Sequence, residues 1–187
     1  AFTNVKPTAP DNVIAVAAVI KVGTTDGIIF VRPTIMAQKY YGTFTRTTNY
    51  APASANTAYA VPFDSTVAAN GISIGTPTSR IVVVESGFYS VSCTLQYSSS
   101  NSSAKTAYTW LRKNGTDIAQ SSRLVTLTTN GGYRLGVVNE AVSLAAGDYI
   151  EVMVAVTDIA ATLAAVGATA FAPGSPAANL TIQQIQE

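Results

Sequence analysis

The stretch Tyr108-Thr-Trp-Leu-Arg-Lys-Asn-Gly-Thr-Asp-Ile118 alternates like a strand, meets Asn114-Gly115, and leaves as a second short strand. Asn-Gly between two such runs signals a two-residue β-hairpin, because both central residues of a type I′ turn need positive φ. The same rhythm continues on either side. Tyr89, Val91, Cys93, Leu95 and Tyr97 fall on one face of a strand, and Ser90, Ser92, Thr94 and Gln96 on the other. This period of two marks an antiparallel strand with one buried face.

Further strands are predicted at 40–46, 58–63, 72–74, 80–84, 106–113, 116–120, 123–128, 133–142, 149–156 and 180–185. Turn signals stand between them at Ser86-Gly87, Asn130-Gly-Gly132 and Ala145-Ala-Gly-Asp148. The alanine-rich segment 159–171 has the composition of a helix, but Gly167 and its β neighbours favour strand. About ten short strands at regular spacing, without a convincing helix, indicate an all-β, two-sheet fold over residues 40–187, a sandwich or jelly roll.

Residues 1–39 read differently, as an arm and attachment segment. Positions 1–12 carry two prolines and no periodicity. Val13, Ile14, Val16, Val19 and Ile20 are followed, after Asp26-Gly27, by Ile28, Ile29, Phe30 and Val31. The branched residues favour a hairpin turning at Asp26-Gly27 over a helix, and Pro33 ends it. The start at Ala1 is what removal of an initiator Met would leave, giving a complete small protein; a piece of a longer chain would look the same.

The 187 residues suffice for one domain with a short appendage. Hydrophobic residues make up 48% and charged residues only 11%, against a usual charged share of about 25%. So little charge implies that the surface is partly covered by other subunits or coated with hydroxyl and amide groups. The net charge of +1 leaves no footprint for nucleic acid, and no run of about 20 apolar residues signals membrane insertion. The single cysteine, Cys93, is expected as a buried thiol.

Catalysis finds little support. There is no histidine, which removes His triads, His metal ligands and His acid–base chemistry. A Ser-Lys pair of Lys105 with Ser102 or Ser103 is better read as solvated loop residues. Asp148 and Glu151 lie close in sequence, but a turn role explains Asp148 and a polar strand face explains Glu151. The ten acidic residues are scattered, so no calcium loop stands out and neither metal nor cofactor is expected. Arg112, Lys113, Arg123 and Arg134 read as a solvated face or as inter-subunit pairs. The sequons at Asn101, Asn114 and Asn179 are frequent by chance. Tyr40, Tyr89, Tyr97, Tyr108, Trp110 and Tyr149 are assigned to core or subunit interface, where an apolar body with a polar tip is useful.

Four segments together carry a family likeness: Pro62-Phe-Asp-Ser-Thr66 with Asn70-Gly-Ile-Ser-Ile74; Ser86-Gly-Phe-Tyr-Ser-Val91; Trp110-Leu-Arg-Lys-Asn-Gly-Thr116; and Leu144-Ala-Ala-Gly-Asp-Tyr-Ile-Glu151. In this order and spacing residues 40–187 resemble the trimeric jelly-roll heads of the complement and tumour necrosis factor type, as carried on surface proteins of bacteriophages and large viruses. The resemblance implies a homotrimer without catalysis, on the outside of a virion.

The expected role is therefore a capsid decoration or cement protein. Residues 1–39 would dock on the major capsid protein or another virion protein through Val13 to Val31, for example by adding a strand to a sheet edge. The alternative is a receptor-binding tip of a tail or head fibre, recognising host glycan through loops 98–103 and 173–176. No Gly-X-Y or heptad stalk precedes the head, which favours decoration.

Overall fold

The computed structural model describes residues 21–22, 25–26, 40–128 and 131–186. The chain divides into two compact units, Ala1–Gln38 and Lys39–Glu187. In the first, β1 (Lys21–Val22) pairs antiparallel with β2 (Thr25–Asp26), and Asp26 stands opposite Lys21. Asp26, predicted as a turn residue, is thus a ladder residue, as is β-branched Thr25 opposite Val22. The attachment candidates Val13, Ile14, Val16, Val19, Ile20, Ile28, Ile29, Phe30 and Val31 lie outside the described residues.

The second unit is a jelly-roll sandwich, all β among its described residues. Its strands are β3 (Tyr41–Arg46), β4 (Tyr59–Ala60), β5 (Ser65–Asn70), β6 (Ile72–Ile74), β7 (Ile81–Val83), β8 (Gly87–Ser99), β9 (Lys105–Lys113), β10 (Thr116–Asp117), β11 (Arg123–Leu127), β12 (Tyr133–Leu144), β13 (Tyr149–Val156), β14 (Ala161–Leu163) and β15 (Ala178–Gln186). One sheet runs β12-β8-β15-β3-β5, with β14 also on β8; the other runs β10-β9-β13-β7-β6, with β11 on β9 and β4 on β13. The chain crosses between sheets at every link from β3 to β6, from β7 to β9 and from β11 to β14.

The core forms where the alternation of β8 requires it. Tyr89, Val91, Cys93, Leu95 and Tyr97 are all buried, facing Leu111, Ile150, Val152 and Val154 of the other sheet. Burial pushes the Cys93 thiol up, away from the reactive thiolate. The Tyr97 hydroxyl crosses the core to hydrogen-bond Thr109. Gly136 makes room for that ring: a Cβ there would lie 2.8 Å from the Tyr97 ring edge.

The Asn-Gly hairpin is as predicted. Asn114 and Gly115 hold φ of 48° and 81°, and Lys113 pairs with Thr116. The Asn114 side chain also ties this turn to the one before β13. Its amide donates to Asp148 at 2.6 Å, and its carbonyl oxygen accepts from the Tyr149 amide at 2.9 Å. Asp148 further accepts from the Ala145 amide at 2.8 Å and faces Lys113 Nζ at 2.9 Å. The Ala145 bond first, then Asn114 and Lys113, holds the Asp148 carboxyl down at about 2. Its folded value lies below its unfolded one, so its contribution to stability is present above the ordinary carboxylate range and is lost as pH falls toward about 2. Urea midpoints are expected to fall between about pH 5 and about pH 3, and Asp148→Asn to flatten that fall while lowering the midpoint at neutral pH.

Several local readings are corrected. Only Tyr59–Ala60 of the 58–63 stretch joins a ladder, although Val61 and Phe63 are buried. Ser65–Asn70 is an edge strand that the sequence did not announce; its small residues are largely exposed, so no alternation marks it. Of 159–171 only Ala161–Leu163 is strand, followed by an isolated Val166–Ser175 bridge. The alanines there supply too little side chain to hold a long strand against the core, and Phe171 is 91% exposed. The chain turns at Gln120, φ 63°, so β10 is only two residues long. Glu151, expected on a polar face, is buried: Ser79 Oγ donates to it at 2.9 Å and Arg80 Nε lies 3.9 Å away. The Arg80 guanidinium in turn stacks on Tyr149 at 4.3 Å.

Candidate assembly surface

Inward-pointing residues of β12, β8, β15 and β3 form the core, which leaves their alternate residues on the outside of the six-stranded sheet. The register aligns them in rows. Val137 stands beside Thr94, Asn179 and Thr45; Asn139 beside Ser92, Thr181 and Thr43; Ala141 beside Ser90, Gln183 and Tyr41. None of the outward positions of these strands, nor any residue of β5, is Asp, Glu, Lys or Arg. The charges of β12 are on its other side. Arg134 stands beside core Tyr97 and donates to Thr128 Oγ1 at 2.9 Å, and Glu140 beside Val91 pairs with Arg123 of β11 at 2.9 Å.

The uncharged face has apolar ends and a hydroxyl- and amide-rich centre. Tyr133, Leu135 and Val137 are exposed at one end, Leu135 to 60%. Tyr41 and Phe88 are exposed at the other, with Ile185 in the bulge of β15. Beside Leu135, a shallow cavity of about 260 Å³ is lined by Thr94, Gln96, Asn179, Ser175 and Pro176. Charge depletion with aromatic enrichment characterises the core of subunit interfaces, whereas a lone exposed leucine is ordinary. Here the apolar residues share a sheet with no charge among them.

The predicted aromatics separate into three places. Tyr89 and Tyr97 are core. Tyr40 and Tyr149 are half-buried, Tyr40 packing on the core cluster. Tyr108 and Trp110 lie on the outside of the opposite sheet, where they line a groove with Asp117 and Ile118. The strand register also brings Tyr133 and Phe88 onto the uncharged face.

Most of the described basic residues pair with acids of the same chain. Arg112 meets Asp117 at 2.8 Å, Lys113 meets Asp148, Arg123 meets Glu140, and Lys105 meets Asp158 at 3.2 Å, while the Ser103 hydroxyl donates to Asn101 Oδ1 at 3.0 Å. Among the described residues, no group of three or more His, Cys, Asp or Glu is placed to hold a metal ion.

No family model matches the sequence, and no curated protein matches it. Solved structures do match. The crystal structure of murine APRIL, at pH 8.5, aligns over 79% of this chain and 100% of its own, with a TM-score of 0.51 and 10% sequence identity. At that identity the likeness is one of fold, a jelly roll of the tumour necrosis factor type.

Proposed function

We propose that this chain is a virion structural protein whose jelly-roll heads associate as a homotrimer on the capsid exterior, with residues 1–39 as the attachment element and no catalytic step. The observation that carries the assembly half of this reading is the charge-free face of the six-stranded sheet. An interface of ordinary size covers about 800 Å² on each partner. The face offers aromatic and aliphatic anchors at both ends, and between them hydroxyls and amides that can hydrogen-bond across copies without the desolvation cost of buried charge. The virion half rests on the motif-level resemblance of residues 40–187 to phage and large-virus head domains, and on the apolar Val13 to Val31 segment. The partner is then the major capsid protein or a neighbouring virion protein.

The test is capsid binding by the full chain and by a chain lacking residues 1–32. The full chain is expected to decorate the capsid exterior in many copies, and the shortened one to stay trimeric and unbound. Full occupancy by the shortened chain would move the docking surface elsewhere. Copies confined to the tail would favour the receptor-binding tip.

A further inference from the structure

The outside of the seven-stranded sheet, opposite the proposed trimer face, carries a groove of about 510 Å³. Its floor is Tyr108 and Trp110 of β9 with Ala155 of β13; Asn56 stands on one side, and Asp117, Ile118 and Gln120 on the other. The volume falls in the range of small-molecule sites. Tyr108 and Trp110 are two residues apart on one face of a strand, which spaces their side chains by roughly 6.6 Å.

The groove is built to hold its shape. The Trp110 indole N–H donates to Asp117 Oδ1 at 2.8 Å, which sets the ring plane. Arg112 Nε donates to the same oxygen at 2.8 Å. The Asn56 backbone N–H donates to Val156 O at 2.7 Å and anchors that side. Fully buried Ser121 accepts from the Leu111 amide at 3.1 Å and donates to Ile118 O at 2.8 Å, pinning the other. Asn56 and Gln120 hold φ of 54° and 63°, a region that a side chain as long as glutamine seldom occupies.

These groups select a chemical class. Arg112 already balances the Asp117 carboxylate, so an ammonium ion would meet the ring faces without an unpaired anion beside them and with the Arg112 charge against it. A wholly apolar partner would strip water from Asp117, Asn56 and Gln120 and return no hydrogen bond. A pyranose ring has a C–H face for the aromatic rings and an edge of hydroxyls that both donate and accept. We propose that this groove is a binding site for a neutral oligosaccharide. Tyr108 and Trp110 lie under neighbouring sugar rings, and Asp117, Asn56 and Gln120 take the hydroxyls. The site is distinct from loops 98–103 and 173–176, and it stands or falls independently of capsid docking.

Trp110 is the sole tryptophan of the chain, so its emission reports on the groove directly. The full-length protein is titrated with maltotriose, cellotriose, triacetylchitotriose and a galactose-containing trisaccharide, and in parallel with tetramethylammonium and sialyllactose. At least one neutral trisaccharide is expected to shift the emission saturably, and tetramethylammonium to leave it unmoved. Tyr108→Ala is expected to weaken that sugar at least tenfold with an unchanged unfolding midpoint, since Tyr108 is exposed. Ile159→Ser, away from the groove, should bind like the unaltered chain. A flat response to every neutral sugar, a preference for tetramethylammonium or sialyllactose, or undiminished binding by Tyr108→Ala would overturn the assignment.

Discussion

Replacing Leu135 and Val137 together by aspartate is expected to turn the proposed trimer into a folded, soluble monomer. Both side chains are exposed in the protomer, so neither is needed for the sandwich itself. Both sit at the apolar end of a face without a charge of its own, so no lysine or arginine there can pair with the new carboxylates. A threefold assembly would bury six of them. Each unpaired carboxylate taken out of water costs several kcal/mol, a sum that exceeds what an ordinary interface yields. Sedimentation velocity reads the change, and far-ultraviolet circular dichroism shows that the β signature is kept. Ile159→Asp, in the turn after β13, makes an equally exposed residue charged off that face and is expected to leave the trimer intact. A trimeric double variant would remove this face from the interface.

The second large effect is expected in the core. Tyr97→Ala should destabilise the fold by about 3–5 kcal/mol, the usual range for emptying a buried aromatic site. The ring is 1% exposed, it occupies the space left by Gly136, and its hydroxyl reaches Thr109 of the opposite sheet. Truncation removes all three contributions and leaves the buried Thr109 hydroxyl without its partner, which is itself costly. Tyr97→Phe keeps the ring and should cost only about 1–2 kcal/mol. Against a total stability of roughly 5–15 kcal/mol, the alanine variant should show a plainly lower urea midpoint, compared at matched protein concentration because association adds to apparent stability. A loss of under about 1 kcal/mol for Tyr97→Ala would mean that the cross-sheet contact is not a stability determinant.

The fold was legible where one face is buried and the other wet. β8 announced itself because Tyr89 to Tyr97 alternate with serine, threonine and glutamine, and the structure buries the first set. Asn114-Gly115 was legible because so few residues tolerate two successive positive φ values. β5 was not legible, since Thr66, Val67, Ala68 and Ala69 are all exposed and leave no period to read. Glu151 was misread for a non-local reason: the residues that cover it, Ser79 and Arg80, are about seventy positions away.

The assembly face was half visible. The shortage of charge showed in the composition, but the alignment of β12 against β8 and β15 was needed to gather Leu135 and Val137 on the same uncharged sheet as Phe88. Tyr108 and Trp110 were assigned to core or interface because aromatics on a strand usually belong there. The inward positions of β9 are instead taken by Ala107, Thr109 and Leu111, which puts the larger rings outside.

Sedimentation equilibrium of the full chain at micromolar concentration tests the central claim most directly. Burial of the charge-free sheet face against two further copies predicts a single species of three times the 19.4 kDa chain mass. A stable monomer, with that face left in water, would contradict it.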